Sequence, residues 1–368
     1  MANDLVGLHA TDPATIYLSV WARQPGVTVE DVERALYDDR TVVRMLAMRR
    51  TMFVVPVHLV PVLQRACSDA VARRQRTLLV QLVEAGGLSR DPQRWVRRLE
   101  QATLAAIRER GSATAAELRT IVPGLRKQVL VSEGKAYETT VSMANRVLTV
   151  LAAQGRIVRG RPGGTWVGTQ YRWLPPEGWS AELGAAVADE AMPSLAEARV
   201  DLVRRWLAAF GPGTVADLRW WTGWSLTELR PALATIGPDE VDLDGTTGLV
   251  LPDDSHDVAP GPEPWVALLP ALDQTVMGWF ERDWYLGPHR AALFDRNGNA
   301  GPTIWSDGRV VGGWAHRADG TVAVRLLEDV GSEVHDAVER RAGALEAWLG
   351  PRRFTPRFRT PLERELVT

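Results

Sequence analysis

Hydrophobic positions along the chain fall into repeating blocks of short helices followed by a β-prone pair. Asp12-Pro13 reads as a helix start, with Asp12 as cap and Pro13 in the first turn. Ile16, Tyr17, Val20 and Trp21 then recur at helical spacing. Thr28 to Asp31 starts a second helix as a capping box, and Asp39 to Leu46 is expected as a third, short one. Met48 to Val55 is β-prone and stops at Pro56; helical patterns follow over Val57–Glu84 and Asp91–Arg110. The next block is clearer. Ala113–Ile121 is a short helix. Thr139/Thr140 cap another, whose Val141, Ala144, Leu148 and Leu151 share a face, and Gln154-Gly155 ends it. Two β-prone runs then flank Pro162-Gly163-Gly164 between Arg156 and Trp173, a hairpin signature. Helix, helix, hairpin is the order of a winged helix.

A third block repeats the order beyond Pro175-Pro176. Ser194/Glu197 and Ser225/Glu228 are capping boxes, Thr214 caps a helix through Trp221, and Asp244-Gly245 marks a weak hairpin. Asp253–Pro264 is Pro- and Asp-rich, as linkers are. From Trp265 the runs shorten to Val266–Leu269, Ala291–Phe294, Thr303–Trp305, Val310–Trp314 and Val322–Leu326, with hairpin turns at Asp307-Gly308 and Asp319-Gly320. An amphipathic helix over Ser332–Leu349 follows, and Phe354–Arg359 is expected to return as a strand. The expected fold is α+β: three tandem winged-helix units (1–110 with its long helices, 111–176, 177–258) and a small β-barrel with a C-terminal helix (259–368).

Composition adds little; charge distribution adds more. The 368 residues are 45% hydrophobic and 24% charged, an ordinary globular mixture. One cysteine, Cys67, excludes an internal disulfide and Cys-rich zinc sites. No apolar run approaches the roughly 18 residues of a membrane span, and Met1–Leu8 carries no secretory signal. A cytoplasmic, monomeric protein without membrane association is the expectation. The net charge of −2 is divided unevenly: residues 1–175 carry +10 and the remainder −12. Such asymmetry marks a chain with one half suited to a polyanion. The near-exclusive use of Arg (only Lys127 and Lys135 are Lys) also fits a GC-rich genome.

These charges locate the candidate DNA contacts. Arg156, Arg159, Arg161 and Arg172 lie on the second hairpin with no acid between them, and Arg146 lies on the preceding helix. Arg44, Arg49 and Arg50 sit near the first β-prone run. The alternative for each is a solvated, solubilising charge. The third hairpin carries Asp239, Glu240, Asp242 and Asp244, which phosphates would repel, so that block is expected to be architectural. His9-Ala-Thr-Asp12 precedes the first helix. A histidine there can hold or activate a water, and it can equally make a structural hydrogen bond. Asp295, Asn297 and Asn299 around Gly298 resemble a calcium loop but lack its distal Glu, and no metal or other cofactor is expected. Phosphate-loop, dinucleotide, serine-elbow and His-x-x-x-His patterns are absent.

Gly7–Pro13 leading into Tyr17–Arg23, Met48–Met52, Leu268–His289 and Asp295–Trp314 with its Gly-Arg-Val-Val-Gly-Gly-Trp ending together resemble the AlkZ/YcaQ-like family of winged-helix DNA glycosylases. The resemblance spans essentially the whole chain. It implies three winged-helix units and a β-barrel in a C-shape around duplex DNA, and excision of alkylated or crosslinked purines. The family's catalytic motif is Gln, an apolar residue, then Gln or Asp. His9, Ala10 and Thr11 occupy those positions here, followed by the matching Asp12. The resemblance therefore makes His9, Thr11 and Asp12 the catalytic candidates. It also leaves open a non-catalytic DNA-binding protein, a regulator or lesion-binding factor, because the usual pair is replaced. A protein-interaction scaffold is a third reading, favoured by the acidic C-terminal half. Family members usually carry a helix ahead of the motif; Met1 lies only eight residues before His9, so either that helix is absent or the start site is misassigned.

Overall fold

The computed structural model describes residues 1–131, 134–135, 138–188, 190, 192–254 and 264–368. Most of the expected Asp253–Pro264 linker, residues 255–263, lies outside them. The chain mixes helices with small antiparallel sheets, an α+β protein, and forms two compact units. One comprises residues 1–32 and 203–368; the other comprises residues 33–202.

In the first unit, helix Pro13–Arg23 is buried on nearly all sides, with Ile16, Tyr17, Leu18 and Trp21 in the core. It starts where expected: Asp12 Oδ1 accepts from Ala14 N at 3.0 Å. Helix Val215–Thr222 opens with a Thr214/Asp217 capping box and ends at Gly223, left-handed at φ 76°. Helix Leu226–Ile236 opens with the expected Ser225/Glu228 box. A hairpin follows, Asp239–Leu243 with Thr246–Val250, turning at Asp244 and Gly245. Both turn residues have positive φ (51° and 88°), the paired left-handed geometry that suits two-residue hairpins.

The C-terminal strands Val266–Leu269, Thr303–Ser306, Arg309–His316 and Val322–Leu326 pair antiparallel in chain order. The first and last strands are not paired with each other, so this is an open four-stranded sheet and not the expected barrel. The turns at Asp307-Gly308 and Asp319-Gly320 fall where predicted. Ala291–Phe294 does not form a strand: Arg290–Leu293 is a helical turn that buries Leu293. Phe354–Arg359 is irregular and does not return to the sheet. Tyr285, Leu286, Leu293, Trp305, Val310 and Leu362 form the core beside the sheet, and helices Gly331–Leu349 and Pro361–Leu366 complete the unit.

In the second unit, Val42–Leu46 is a strand where a helix was expected, paired with Met52–Pro56. The chain leaves helical geometry at Arg40 (φ 56°), and the β-branched Val42 and Val43 continue extended. The stretch Val57–Glu84 is not one helix. It passes through a 3-10 turn (Val57–Leu59), a short α segment containing Pro61 and a π turn (Gln64–Ser68) before helix Asp69–Ala85. Helix Pro92–Arg110 follows the Asp91 cap. Helices Ala115–Ile121 and Met143–Ala153 precede the hairpin Val158–Pro162/Tyr171–Leu174. Thr139 and Thr140 do not cap: Thr139–Ser142 is a strand paired with Gln128–Val131, a hairpin the pattern did not predict. Leu79, Val96, Ile107, Leu118, Val147 and Leu151 pack into this unit's core.

Candidate active site and nucleic-acid interface

The His9 motif and the helix that follows it are tied by side-chain-to-backbone hydrogen bonds to a distant segment of the same unit. Gln274 Nε2 donates to Gly7 O (3.0 Å) and Thr15 Oγ1 donates to Ala271 O (2.8 Å). His9, Ala10 and Asp12 are buried, while Thr11 is half-buried. Thr11 N lies 3.4 Å from His9 Nδ1 in donor geometry. That contact needs the lone pair at Nδ1, which assigns the proton of a neutral ring to Nε2. Asp12 is otherwise occupied: Oδ1 caps the helix, and Oδ2 accepts from Arg357 N at 2.9 Å. Its carboxylate is a structural acceptor at the root of the motif.

Beneath the motif lies an ion pair that sequence reading did not assemble. Asp273 is fully buried. Its carboxylate accepts from Arg23 Nη1 (2.8 Å), Arg23 Nη2 (2.5 Å), Ser19 Oγ (2.6 Å) and Thr275 N (2.9 Å). Burial alone would push its pKa up. The Arg23 guanidinium and these hydrogen bonds outweigh burial and hold the carboxyl below the usual carboxylate range. The bidentate fork ties helix Pro13–Arg23 to the Leu268–Thr275 segment that supports the motif. The signal was present in sequence: Asp273 ends an apolar run, Leu268–Leu272, interrupted only by Pro270.

A second buried carboxyl titrates differently. Glu363 completes the capping box of helix Pro361–Leu366, accepting from Thr360 N at 2.9 Å. Burial raises its pKa to about 7, with Asp12 adding a smaller push in the same direction. Its folded pKa exceeds its unfolded value, so the folded state binds the proton more tightly. The group then costs nothing below the unfolded pKa of about 4.5, and it destabilises increasingly as pH rises through 7. Thermal melts should show a wild-type decline between pH 5 and 8, of up to about 3 kcal/mol, that Glu363→Gln flattens. Gln keeps the capping hydrogen bond. Parallel pH curves for the two proteins would contradict this account.

The predicted DNA-contact arginines, all in the second unit, separate into three groups. Arg44 and Arg159 are not surface contacts. Arg44 points inward from its strand, is buried, and donates through Nη1 to Tyr171 Oη; its guanidinium sits 5.2 Å from the Tyr171 ring. Arg159 is half-buried, 4.7 Å from the Trp173 ring. Burial, reinforced by the like charge of Arg44, lowers its pKa to about 10. Arg161 and Arg172 are exposed but engaged. Arg161 pairs with Glu33 and Asp38 (both 2.9 Å). Arg172 donates to Ser112 Oγ (3.0 Å), with Glu117 at 3.6 Å. The hairpin has no acid of its own, but elements remote in sequence supply them. Arg49, Arg50, Arg146 and Arg156 are exposed. Arg49 and Arg50 form the tip of the Val42–Leu46/Met52–Pro56 hairpin, both with positive φ (51° and 60°), an unfavourable conformation for arginine.

A metal centre is not assembled at any of these places: among the described residues no group of three or more His, Cys, Asp or Glu side chains converges. Asp295 uses its carboxylate on Asn297 N (2.8 Å) and Asn299 N (2.9 Å), closing its own turn. Among the same residues, no helix is long and apolar enough to cross a membrane.

The motif, its buried support and the arginine-bearing hairpin belong to an α+β protein similar to known DNA glycosylases. A sequence profile described as DNA glycosylase AlkZ-like matches residues 2–348, and the chain belongs to that family. Among individual relatives, an interstrand DNA cross-link repair glycosylase from Streptomyces sahachiroi is 28% identical over 249 residues. The aligned region covers 64% of this chain and 64% of that protein's length. The solved structure of Streptomyces sahachiroi DNA glycosylase AlkZ superposes with a TM-score of 0.70 at 25% identity, covering 94% of this chain and 89% of that one.

Proposed function

We propose that this protein is a monofunctional DNA glycosylase that hydrolyses the N-glycosidic bond of alkylated or crosslinked purines in duplex DNA. The observation that carries the reading is the family match across residues 2–348, which includes the His9 segment. An N7-alkylpurine is a cationic leaving group, so its departure needs little protonation. The enzyme must steady an electron-poor sugar and place a water. His9, with Thr11, is the pair assigned to this. If neutral, the His9 imidazole can position or deprotonate the water, and the Thr11 hydroxyl can hydrogen-bond it. Asp12 contributes by fixing the motif's backbone to the helix start. The helix–helix–hairpin succession Val215–Val250, and Ala115–Leu174, where a further hairpin separates the two helices, support the winged-helix reading. Incubating the protein with a duplex carrying one N7-methylguanine and probing for heat-labile abasic sites tests the activity. Strand breaks above background support it, and their absence with several alkylpurines sinks it.

Duplex binding is assigned chiefly to the exposed arginines Arg49, Arg50, Arg146 and Arg156. Replacing Arg49 and Arg50 with Ala should flatten the slope of log K against log salt by about 1.8, as two lost phosphate contacts require. Arg44→Ala, at a buried position, should lower stability and leave that slope unchanged. An unaltered slope in the Arg49/Arg50 double variant would remove that hairpin from the interface. The non-catalytic reading is favoured by the missing Gln pair; it predicts the same binding without base release.

A further inference from the structure

A cavity of about 810 Å³ opens in the first unit, between the Asp239–Val250 hairpin and the Trp279–Trp284 segment. We infer that it is a binding site for a planar, ring-bearing organic cation. None of the lining residues is among those assigned to base release or duplex contact.

The walls are aromatic and unusually open to solvent. Trp284 is 64% exposed and Phe280 is 50% exposed, two large aromatic side chains on one short segment lining the same cavity. Trp279 stands edge-on to Trp284, with ring centroids 5.3 Å apart, and packs the same way on Phe210 at 5.4 Å. The segment is held in place rather than loose. Buried Asp217 accepts from Phe280 N (2.7 Å) and Glu281 N (3.0 Å), and Trp279 Nε1 donates to Phe210 O (3.0 Å). The open rings are therefore presented on a fixed scaffold, as a preformed ligand site requires.

Charge selects the ligand's sign. Asp242, Asp244, Glu281 and Asp283 are exposed carboxylates along the rim, against two lining cations among the described residues, exposed Arg290 and buried Arg282. Aromatic faces with carboxylates at their edges attract a delocalised cation and repel phosphate. Arg282 braces the aromatic wall. It lines the cavity but is only 3% exposed, sandwiched with its guanidinium 4.5 Å from the Trp220 ring and 5.1 Å from Phe294. Its Nε donates to Trp279 O (2.7 Å), which braces the aromatic segment.

The test uses 1-methylnicotinamide, a planar cation, and nicotinamide, its uncharged counterpart. Binding to the full chain is followed by saturation-transfer NMR and titration calorimetry. The cation should bind at least about fivefold more tightly than the neutral ring, within the range of a cation–aromatic contact. Trp284→Ala should weaken it by about fivefold or more, as should Glu281→Gln combined with Asp283→Asn; both sets of substitutions are at exposed positions. Equal affinity for the two probes, affinity unchanged in both variants, or no binding of the cation would overturn the assignment. So would saturable binding of a Lys/Arg-rich peptide with none of the methylated ring, which would make this a protein-docking surface.

Discussion

Asp273→Ala is expected to lose about 3 kcal/mol of folding stability, the lower part of the range for breaking a buried ion pair by removing one partner. The arithmetic is asymmetric. Asp273 is fully buried and Arg23 is 22% exposed on its side chain, so the arginine can recover part of its hydration but not all. The variant also strands the Ser19 hydroxyl, the Thr275 amide and two guanidinium N–H groups that now share one carboxylate. Urea unfolding reads the loss as a shift in midpoint at constant slope. Adding Arg23→Ala to Asp273→Ala should cost less than the sum of the two single changes, because the second removes the charge that the first left unpaired. The pH dependence has the opposite sense to that of Glu363. The Asp273 pKa is depressed on folding, so its contribution is present above the ordinary carboxylate range and is lost as pH falls below it. A loss below about 1 kcal/mol at neutral pH would show that the pair is dispensable to the frame around His9.

His9→Ala is expected to reduce single-turnover base release by at least about 100-fold, the lower end of what a positioned acid–base group supplies. His9 is buried beside a half-buried Thr11, and the segments on either side of the pair are pinned by Gln274 and by the helix cap. Removing the ring therefore deletes one side chain from a fixed backbone. His9→Gln installs the residue the family usually carries at this position and should retain more activity than His9→Ala. Thr11→Ala should cost less than His9→Ala, about tenfold, because it removes one neutral hydrogen bond. Duplex affinity should be unchanged in all three, which separates loss of chemistry from loss of binding.

The parts of the fold that were legible in sequence are those set by local chemistry. Asp12-Pro13, Ser225/Glu228, Asp244-Gly245 and Asp307-Gly308 all act within four residues, and each appears as expected. The failures lie where a distant partner decides. Val42–Leu46 became a strand because Met52–Pro56 pairs with it, and the Thr139–Ser142 strand depends on Gln128–Val131 in the same way. The closed barrel could not be judged from strand count, since closure is a pairing between the first and last strands. The arginine hairpin failed for an electrostatic version of the same reason. Counting charges along Arg156–Arg172 found no acid, while Glu33, Asp38 and Glu117 reach Arg161 and Arg172 from elsewhere in the fold. The candidate active site was legible as a motif but not as an environment. Asp12 capping was foreseen, but its second bond to Arg357 N and the Asp273–Arg23 support beneath it were not.

Everything assigned to His9 meets in one experiment: single-turnover release of N7-methylguanine from a duplex, measured by mass spectrometry of the free base with wild type and His9→Ala at saturating protein. The account predicts release by wild type well above the spontaneous rate, and a loss of about 100-fold or more in the variant with duplex affinity intact. Release at equal rates by both proteins would contradict the assignment of His9, and release by neither would leave a family member that binds DNA without cutting the glycosidic bond.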